Sequence, residues 1–264
     1  MASIPFHLSH NAEAAGFRLA AFDTFNGSTN TEALDRARAG DCGSLWIVTD
    51  NQLGGRGRRN RAWIAPKGNL AASLLIVTDV STSTAATLGF VAGVALERAI
   101  VRVSPYLRHR ISLKWPNDIL ADGAKLSGIL LESEPLDERR RAVVVGIGVN
   151  VVAAPEGLPY PGASLVSLGA NVSASELFAA LADEWIAAAA IWDEGRGMGA
   201  LRDLWLERAT GLNGPISVQT PSGVIGGIFE TIDDMGRLIM QRADGTTEVV
   251  SAGDVHFGGL ATRK

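Results

Sequence analysis

Twelve consecutive residues, Gln52-Leu53-Gly54-Gly55-Arg56-Gly57-Arg58-Arg59-Asn60-Arg61-Ala62-Trp63, hold four arginines and three glycines in a chain of net charge −4. Glycine lets a backbone turn sharply and approach a ligand closely. The arginine guanidinium stays charged and forks onto phosphate or carboxylate oxygens. A cationic loop bounded by an aromatic residue suits closure over a polyanion, although a solvated basic loop would have the same composition. Two known phosphate motifs do not fit. No Gly-Lys-Ser/Thr follows at Walker spacing, and the dinucleotide fingerprint lacks its third glycine.

Three further groups carry candidate chemistry. Gly27-Ser28-Thr29-Asn30 offers hydroxyl and amide groups at a helix start, where free N–H donors bind small polar ligands and where simple capping is the alternative. Lys114-Trp115-Pro116-Asn117-Asp118 precedes an Asp122-Gly123 hairpin turn, and the return strand bears Lys125-Leu126-Ser127-Gly128. Charged residues followed by a strand glycine suit close approach of a ligand, and a polar turn accounts for Asn117 and Asp118 equally well. Gly146 and Gly148 alternate in a strand closed by Asn150. Both therefore lie on one sheet face, either leaving a flat slot or admitting a close-packed helix.

These groups need a frame, and the hydrophobic pattern predicts one. Strands are expected near 44–49, 70–78, 111–115, 125–132 and 142–149, with a short arm or first strand over the opening residues reaching 22–25. Helices are expected from Ser28 or Thr29, with Glu32 in a capping box, to Ala39, and over 85–103, 173–193 and 198–209. From Leu212 the pattern switches to about five short alternating strands with turns at Pro221-Ser222-Gly223, Asp233 to Gly236 and Ala243 to Gly245. This divides the chain into domains 1–211 and 212–264.

With 264 residues, 47% hydrophobic and 20% charged, the chain reads as an ordinary globular protein. Net acidity argues against general affinity for nucleic acid. Cys42 is the only cysteine, which excludes an internal disulfide or a cysteine-rich metal site. His7, His10, His109 and His256 are scattered and read as structural or exposed. Acidic and basic residues interrupt every apolar stretch, Glu97 and Arg98 among them, so no membrane span is expected. No secretory pattern opens the chain, and the cytoplasm is the expected location.

Taken in order, the four groups resemble biotin protein ligase, and the terminal β module fits that family's small C-terminal barrel. The likeness runs from about residue 22 to near the end. It implies an α+β fold: a mixed central sheet flanked by helices, of the class II synthetase-like biotin/lipoate ligase type, with a small C-terminal β-barrel. It also implies an enzyme that joins biotin and MgATP into biotinyl-5′-AMP, releases pyrophosphate, and transfers biotin to a lysine of a biotin carboxyl carrier protein such as that of acetyl-CoA carboxylase.

By the resemblance, Ser28, Thr29 and Gln52 meet the ureido end of biotin, Gly128, Leu130, Gly146 and Gly148 form its slot, and Asn30 and Gly55 also belong to the biotin site. Arg56 and Arg58 hold phosphates and the reacting carboxylate, assisted by Arg59, while Lys125 bridges carboxylate and α-phosphate. Trp63 packs on adenine. Asn117, Asp118 and Asn150 lie on the nucleotide side with its metal or water contacts, and metal ligands are otherwise unassigned. Asp118 orients or deprotonates the incoming lysine. No nucleophilic side chain is needed, because the biotin carboxylate itself attacks.

Asn60 stands where the family's loop usually has glycine; Asn also adopts the left-handed conformation, with a stiffer hinge. Only about 20 residues precede the matching region, so a ligase without a DNA-binding repressor domain is expected, with no nucleic-acid partner. A homodimer is left open, because edge pairing of a sheet has no distinct sequence signature. The rivals are a lipoate or octanoate transferase, which would not need to grip a triphosphate, a catalytically silent biotin sensor, and an RNA binder acting through the Arg/Gly loop.

Overall fold

The computed structural model describes residues 6–157, 160–221 and 223–257. Ser222 in the expected 221–223 turn, residues 158–159 of the loop before Tyr160, and the extremities of the two expected domains lie outside the described residues. Seven strands build the main sheet: β1 (Arg18–Phe22), β2 (Leu45–Thr49), β3 (Leu70–Thr78), β4 (Ile111–Lys114), β5 (Asp118–Ala121), β6 (Ala124–Pro135) and β7 (Arg141–Val149). Their order is β1-β2-β3-β7-β6-β5-β4. β1 and β2 run parallel and every other neighbouring pair is antiparallel, so the sheet is mixed, as expected.

Alternation along β2, β3 and β7 divides their side chains between two faces. Trp46, Val48, Ala72, Leu74, Val143, Val145 and Ile147 point to one face, where the long helices α4 (Leu88–Val103) and α5 (Ala174–Trp192) supply the main core. Leu45, Ile47, Leu75, Ala142 and Val144 point to the other, where only α2 (Thr29–Arg38) covers them through Ala33 and Ala37. One helix is too narrow to cover that face. The uncovered part, toward the loop-rich ends of β5, β6 and β7, becomes the site.

The β5–β6 hairpin turns at Asp122 and Gly123, with φ 49° and 80°, the conformation that Asp-Gly favours between paired strands. α5 opens with a capping box, Ser173 with Glu176. α2 does not. Ser28 occupies the cap position without a side-chain bond, and Glu32 pairs with Arg36 instead. A short helix α1 (His10–Ala14) precedes β1, which ends at Phe22. The helix expected over 85–103 is preceded by a separate turn of helix, α3 (Thr82–Ala86). Together they cover Thr82–Val103, which is long and apolar enough to cross a membrane by length and composition, although Glu97 and Arg98 interrupt it. Its most apolar window is 78% buried within the protein, and Arg208 neutralises the buried Glu97 at 2.8 Å.

After α6 (Met198–Leu206), five strands form a second, antiparallel sheet: β8 (Pro215–Thr220), β9 (Gly223–Ile232), β10 (Leu238–Gln241), β11 (Thr247–Val250) and β12 (Asp254–Phe257). The order is β11-β10-β9-β8-β12. Among the described residues β11 and β12 do not pair, so the expected barrel is an open sheet. A loop of the first sheet, rather than a strand, meets β12: Arg58 donates to the Gly253 carbonyl at 3.2 Å. The inner face of this sheet, with Val218, Phe229, Leu238 and Met240, joins the core formed by α4 and α5. The Trp115 indole N–H donates to the Gly236 carbonyl at 2.9 Å across the same junction.

Candidate functional site

The floor of the site follows from register. One row across the sheet reads Lys114, Asp118, Gly128, Gly148, Ala71 and Thr49; the next reads Leu130, Gly146, Ser73 and Ile47. Paired residues on neighbouring strands share a face. Small residues thus line the centre of both rows, with charge at the β4–β5 end. A cavity of about 540 Å³ stands over this floor, within the usual size for small-molecule sites.

The space over the two β7 glycines is filled by the site's own side chains. A Cβ on Gly146 would fall 2.2 Å from Asn30 Oδ1, and one on Gly148 would fall 2.5 to 2.8 Å from the Trp63 indole. Of the two alternatives read from the sequence, the close-packed helix holds at Gly146, while the space over Gly148 is taken by an aromatic ring. Helix α2 supplies the group over Gly146, and the arginine loop supplies the one over Gly148.

At the α2 end, a chain of hydrogen bonds fixes the polar groups. Gln52 Oε1 accepts from the Thr29 backbone N–H at 2.8 Å and from its hydroxyl at 3.1 Å. Gln52 thus provides the side-chain cap that Ser28 or Thr29 was expected to provide. The Ser73 hydroxyl lies 2.7 Å from Thr29 Oγ1 and 2.6 Å from Asn30 Oδ1, and can donate to one at a time. Asn30 Nδ2 donates to the Leu130 carbonyl and to Glu132 at 2.9 Å, and Glu132 also receives Arg56 at 2.8 Å. One carboxylate on β6 therefore ties the helix start to the cationic loop.

Farther along the loop, Asp254 of β12 faces Arg59 at 2.9 Å, Arg61 at 3.1 Å and Arg58 at 3.7 Å. Burial pushes the Asp254 carboxyl upward, but the three arginines outweigh it and hold the group below its ordinary value. Arg58 also donates to Asn117 Oδ1 at 2.9 Å, and burial lowers its affinity for the proton. Arg59 of the loop adopts the left-handed conformation, at φ 56°.

On β5 and β6, Lys125 Nζ lies 2.7 Å from Asp118 Oδ1, an oxygen with no aligned hydrogen-bond donor. The Lys125 ammonium also lies 5.8 Å from the Trp63 ring and 5.5 Å from the Tyr160 ring. Six Lys/Arg side chains and two carboxylates line the cavity. A net-acidic chain has concentrated positive charge at one place, which suits bringing two anions together.

Of the residues singled out in the sequence, Ser28, Thr29, Asn30, Gln52, Arg56, Arg58, Arg59, Trp63, Asn117, Asp118, Lys125, Gly128, Leu130, Gly146 and Gly148 all line this cavity. Gly55 and Asn150 do not. Gly55 lies too close to the Trp63 carbonyl and Gln52 to carry a Cβ, so it shapes the loop. Asn150 is buried and donates to the Ala163 carbonyl at 3.1 Å, anchoring the segment that bears Tyr160. Sequence reasoning missed Tyr160, Gln219, Asp254, His256 and Phe257, which reach the cavity from distant segments. Lys114, in the Lys-Trp-Pro-Asn-Asp run, and Arg61, in the arginine loop, also line it and carried signals that could have found them.

Comparison with known proteins bears on this geometry. The model of the biotin/lipoate A/B protein ligase family matches residues 25–150, and that of the biotin protein ligase C terminal domain matches residues 211–258. A biotin–[acetyl-CoA-carboxylase] ligase of Paracoccus denitrificans is 41% identical over 88% of this chain and 98% of its own length. The Mycobacterium tuberculosis protein of the same description is 34% identical over 87% of this chain and 85% of its own. Among solved structures, a biotin protein ligase from Aquifex aeolicus in complex with biotin and ATP superposes with a TM-score of 0.74. It covers 91% of this chain and 99% of that one at 20% identity, a likeness of fold.

Proposed function

The chain belongs to the biotin/lipoate A/B protein ligase family, and from that membership we propose how its cavity works. It is an ATP-dependent ligase that forms biotinyl-5′-AMP and transfers the biotinyl group to a lysine of a biotin carboxyl carrier protein, that of acetyl-CoA carboxylase being the natural candidate. Residues 1–211 bind both small substrates, and residues 212–264 form a smaller unit that borders the nucleotide side. The reaction takes place in the cytoplasm without a nucleic-acid partner, in keeping with the net charge of −4.

In the first step an oxygen of the biotin carboxylate attacks the α-phosphorus of ATP. The bond to the β-phosphate breaks and pyrophosphate leaves. Two anions must meet, so fixed cations aimed at the reacting atoms supply the main acceleration. Lys125 bridges carboxylate and α-phosphate, while Arg56, Arg58 and Arg59 neutralise the phosphates. Ser28, Thr29, Asn30 and Gln52 orient the ureido ring over the small-residue floor, with Trp63 covering the adenylate. In the second step the carrier amine attacks the acyl carbon, the C–O bond to AMP breaks, and the nitrogen loses its proton to Asp118.

Magnesium accompanies ATP, takes mostly phosphate and water oxygens, and needs only one or two carboxylates. Among the described residues no three His, Cys, Asp or Glu side chains cluster as a metal site. Asp118 is the carboxylate at the phosphate side that would hold such an ion, sharing its charge with Lys125 at 2.7 Å; the ion would offset phosphate charge there.

The observation that carries this reading is the meeting, in one cavity, of the Lys125–Asp118 pair, the arginine loop and the Gln52–Thr29–Asn30 group. The test is pyrophosphate release from MgATP with biotin, and separately with lipoate, without carrier. Release with biotin alone, reduced at least about a hundredfold in Lys125→Ala, is expected. Release with lipoate alone would assign the chain to the other branch of the family.

A further inference from the structure

Five of the six cations in the cavity already face a carboxylate. Arg56 pairs with Glu132, Arg58, Arg59 and Arg61 share Asp254, and Lys125 pairs with Asp118. The exception is Lys114, the last residue of β4. Among the described residues it makes no ion pair, and its Nζ lies 5.4 Å from the centre of the Phe257 ring. Register places it on the site face, directly across from Asp118.

Burial lowers the proton affinity of Lys114, and the charge of Lys125 acts in the same direction, while Asp118 and Asp254 partly offset both. A half-buried cation with no paired carboxylate is costly to the empty protein and gains most from an incoming anion, because no internal ion pair must break first. Lys125 stands two strands away on β6 and its ammonium is held by Asp118 at 2.7 Å. Lys114 stands outside that pair, on the side bounded by Phe257 of β12.

Building on the ligase reading, we propose that Lys114 binds the β- and γ-phosphates of ATP and retains the pyrophosphate leaving group. The negative charge that develops on the bridging oxygen as the α–β bond breaks passes to the diphosphate, and Lys114 is the cation placed to receive it. The Phe257 ring holds the ammonium in the cavity without neutralising it.

The test uses the full chain with inorganic pyrophosphate and magnesium, by titration calorimetry, beside the KM for ATP in biotin-dependent pyrophosphate release. Lys114→Met keeps the apolar stem against Phe257 and removes the charge. It is expected to weaken pyrophosphate binding and raise the KM for ATP by about tenfold or more, with biotin affinity within twofold of wild type. Lys114→Arg, which keeps the charge, should recover most of both losses, and it serves as the informative variant if Lys114→Met fails to fold. In that case wild-type-like behaviour of Lys114→Arg together with a full loss in Lys114→Gln supports the assignment. If wild type releases pyrophosphate but a folded charge-free variant binds it as tightly, the assignment of Lys114 falls and the ligase reading stands. If wild type neither releases nor binds pyrophosphate, both fall.

Discussion

Gly146→Ala tests whether the floor of the site is as tightly committed as the geometry shows. The added Cβ would fall 2.2 Å from Asn30 Oδ1 and 2.8 Å from its Cγ and Nδ2. Asn30 is 3% exposed and cannot swing outward without losing its bonds to Ser73, the Leu130 carbonyl and Glu132. Overpacking costs about 1–3 kcal/mol, and each lost hydrogen bond adds roughly 1 kcal/mol, so a net loss of about 3 kcal/mol is expected after partial relaxation. For a chain of this size that is a fall in Tm of about 6–12 °C. Displacing Asn30 should also weaken biotin binding by about ten- to a hundredfold. Gly199→Ala is the control: it lies in α6 with nothing within 4 Å of the new methyl, and should stabilise by about 0.5 kcal/mol. Thermal unfolding and titration calorimetry with biotin measure both. A Gly146→Ala protein with wild-type Tm and wild-type biotin affinity would refute the close packing of Asn30 on the floor.

Two further substitutions probe contacts that hold the site in place. Asp254→Asn should free the arginine loop from β12, speeding tryptic cleavage within 56–61 severalfold and costing about 1 kcal/mol, discounted because the groups are partly exposed. The folded pKa of Asp254 lies below its ordinary 3.8, so its contribution is complete above that value and fades as pH falls through the folded pKa. Urea melts of wild type and variant should therefore differ at pH 7 and converge in acid; a difference that persists there would contradict the ion-pair account. Ser173→Ala removes the acceptor that caps α5, and should lower stability by about 1 kcal/mol. An unchanged urea midpoint would mean that packing of α5 alone sets its stability.

Much of the scaffold is written in local pattern. β3 runs from Leu70 to Thr78, as its apolar run suggests, because a strand buried on both faces is hydrophobic at every position. The β5–β6 turn falls at Asp122-Gly123 because few other residue pairs accept positive φ at both positions. α1 was not legible: its five residues are too few for a periodic signal, and it is fixed from outside, with Ser9 donating to Asp183 on α5.

For the site, the sequence by itself determined the chemical inventory: the arginine loop, the charged residues Asp118 and Lys125 on either side of a hairpin turn, and the bare glycine positions of β7. These are covalently close, so spacing and residue type are enough to expose them. Tertiary structure alone decided what neutralises and fills them. Asp254 meets arginines more than 190 residues away, Gln52 caps a helix that begins 23 residues earlier, and Glu132 joins Asn30 to Arg56 across three elements. It also decided that the second sheet stays open at β12, whose flank meets the loop. Counterions and caps act over a few ångströms of space, and no local pattern records which distant segment the fold will bring within that reach.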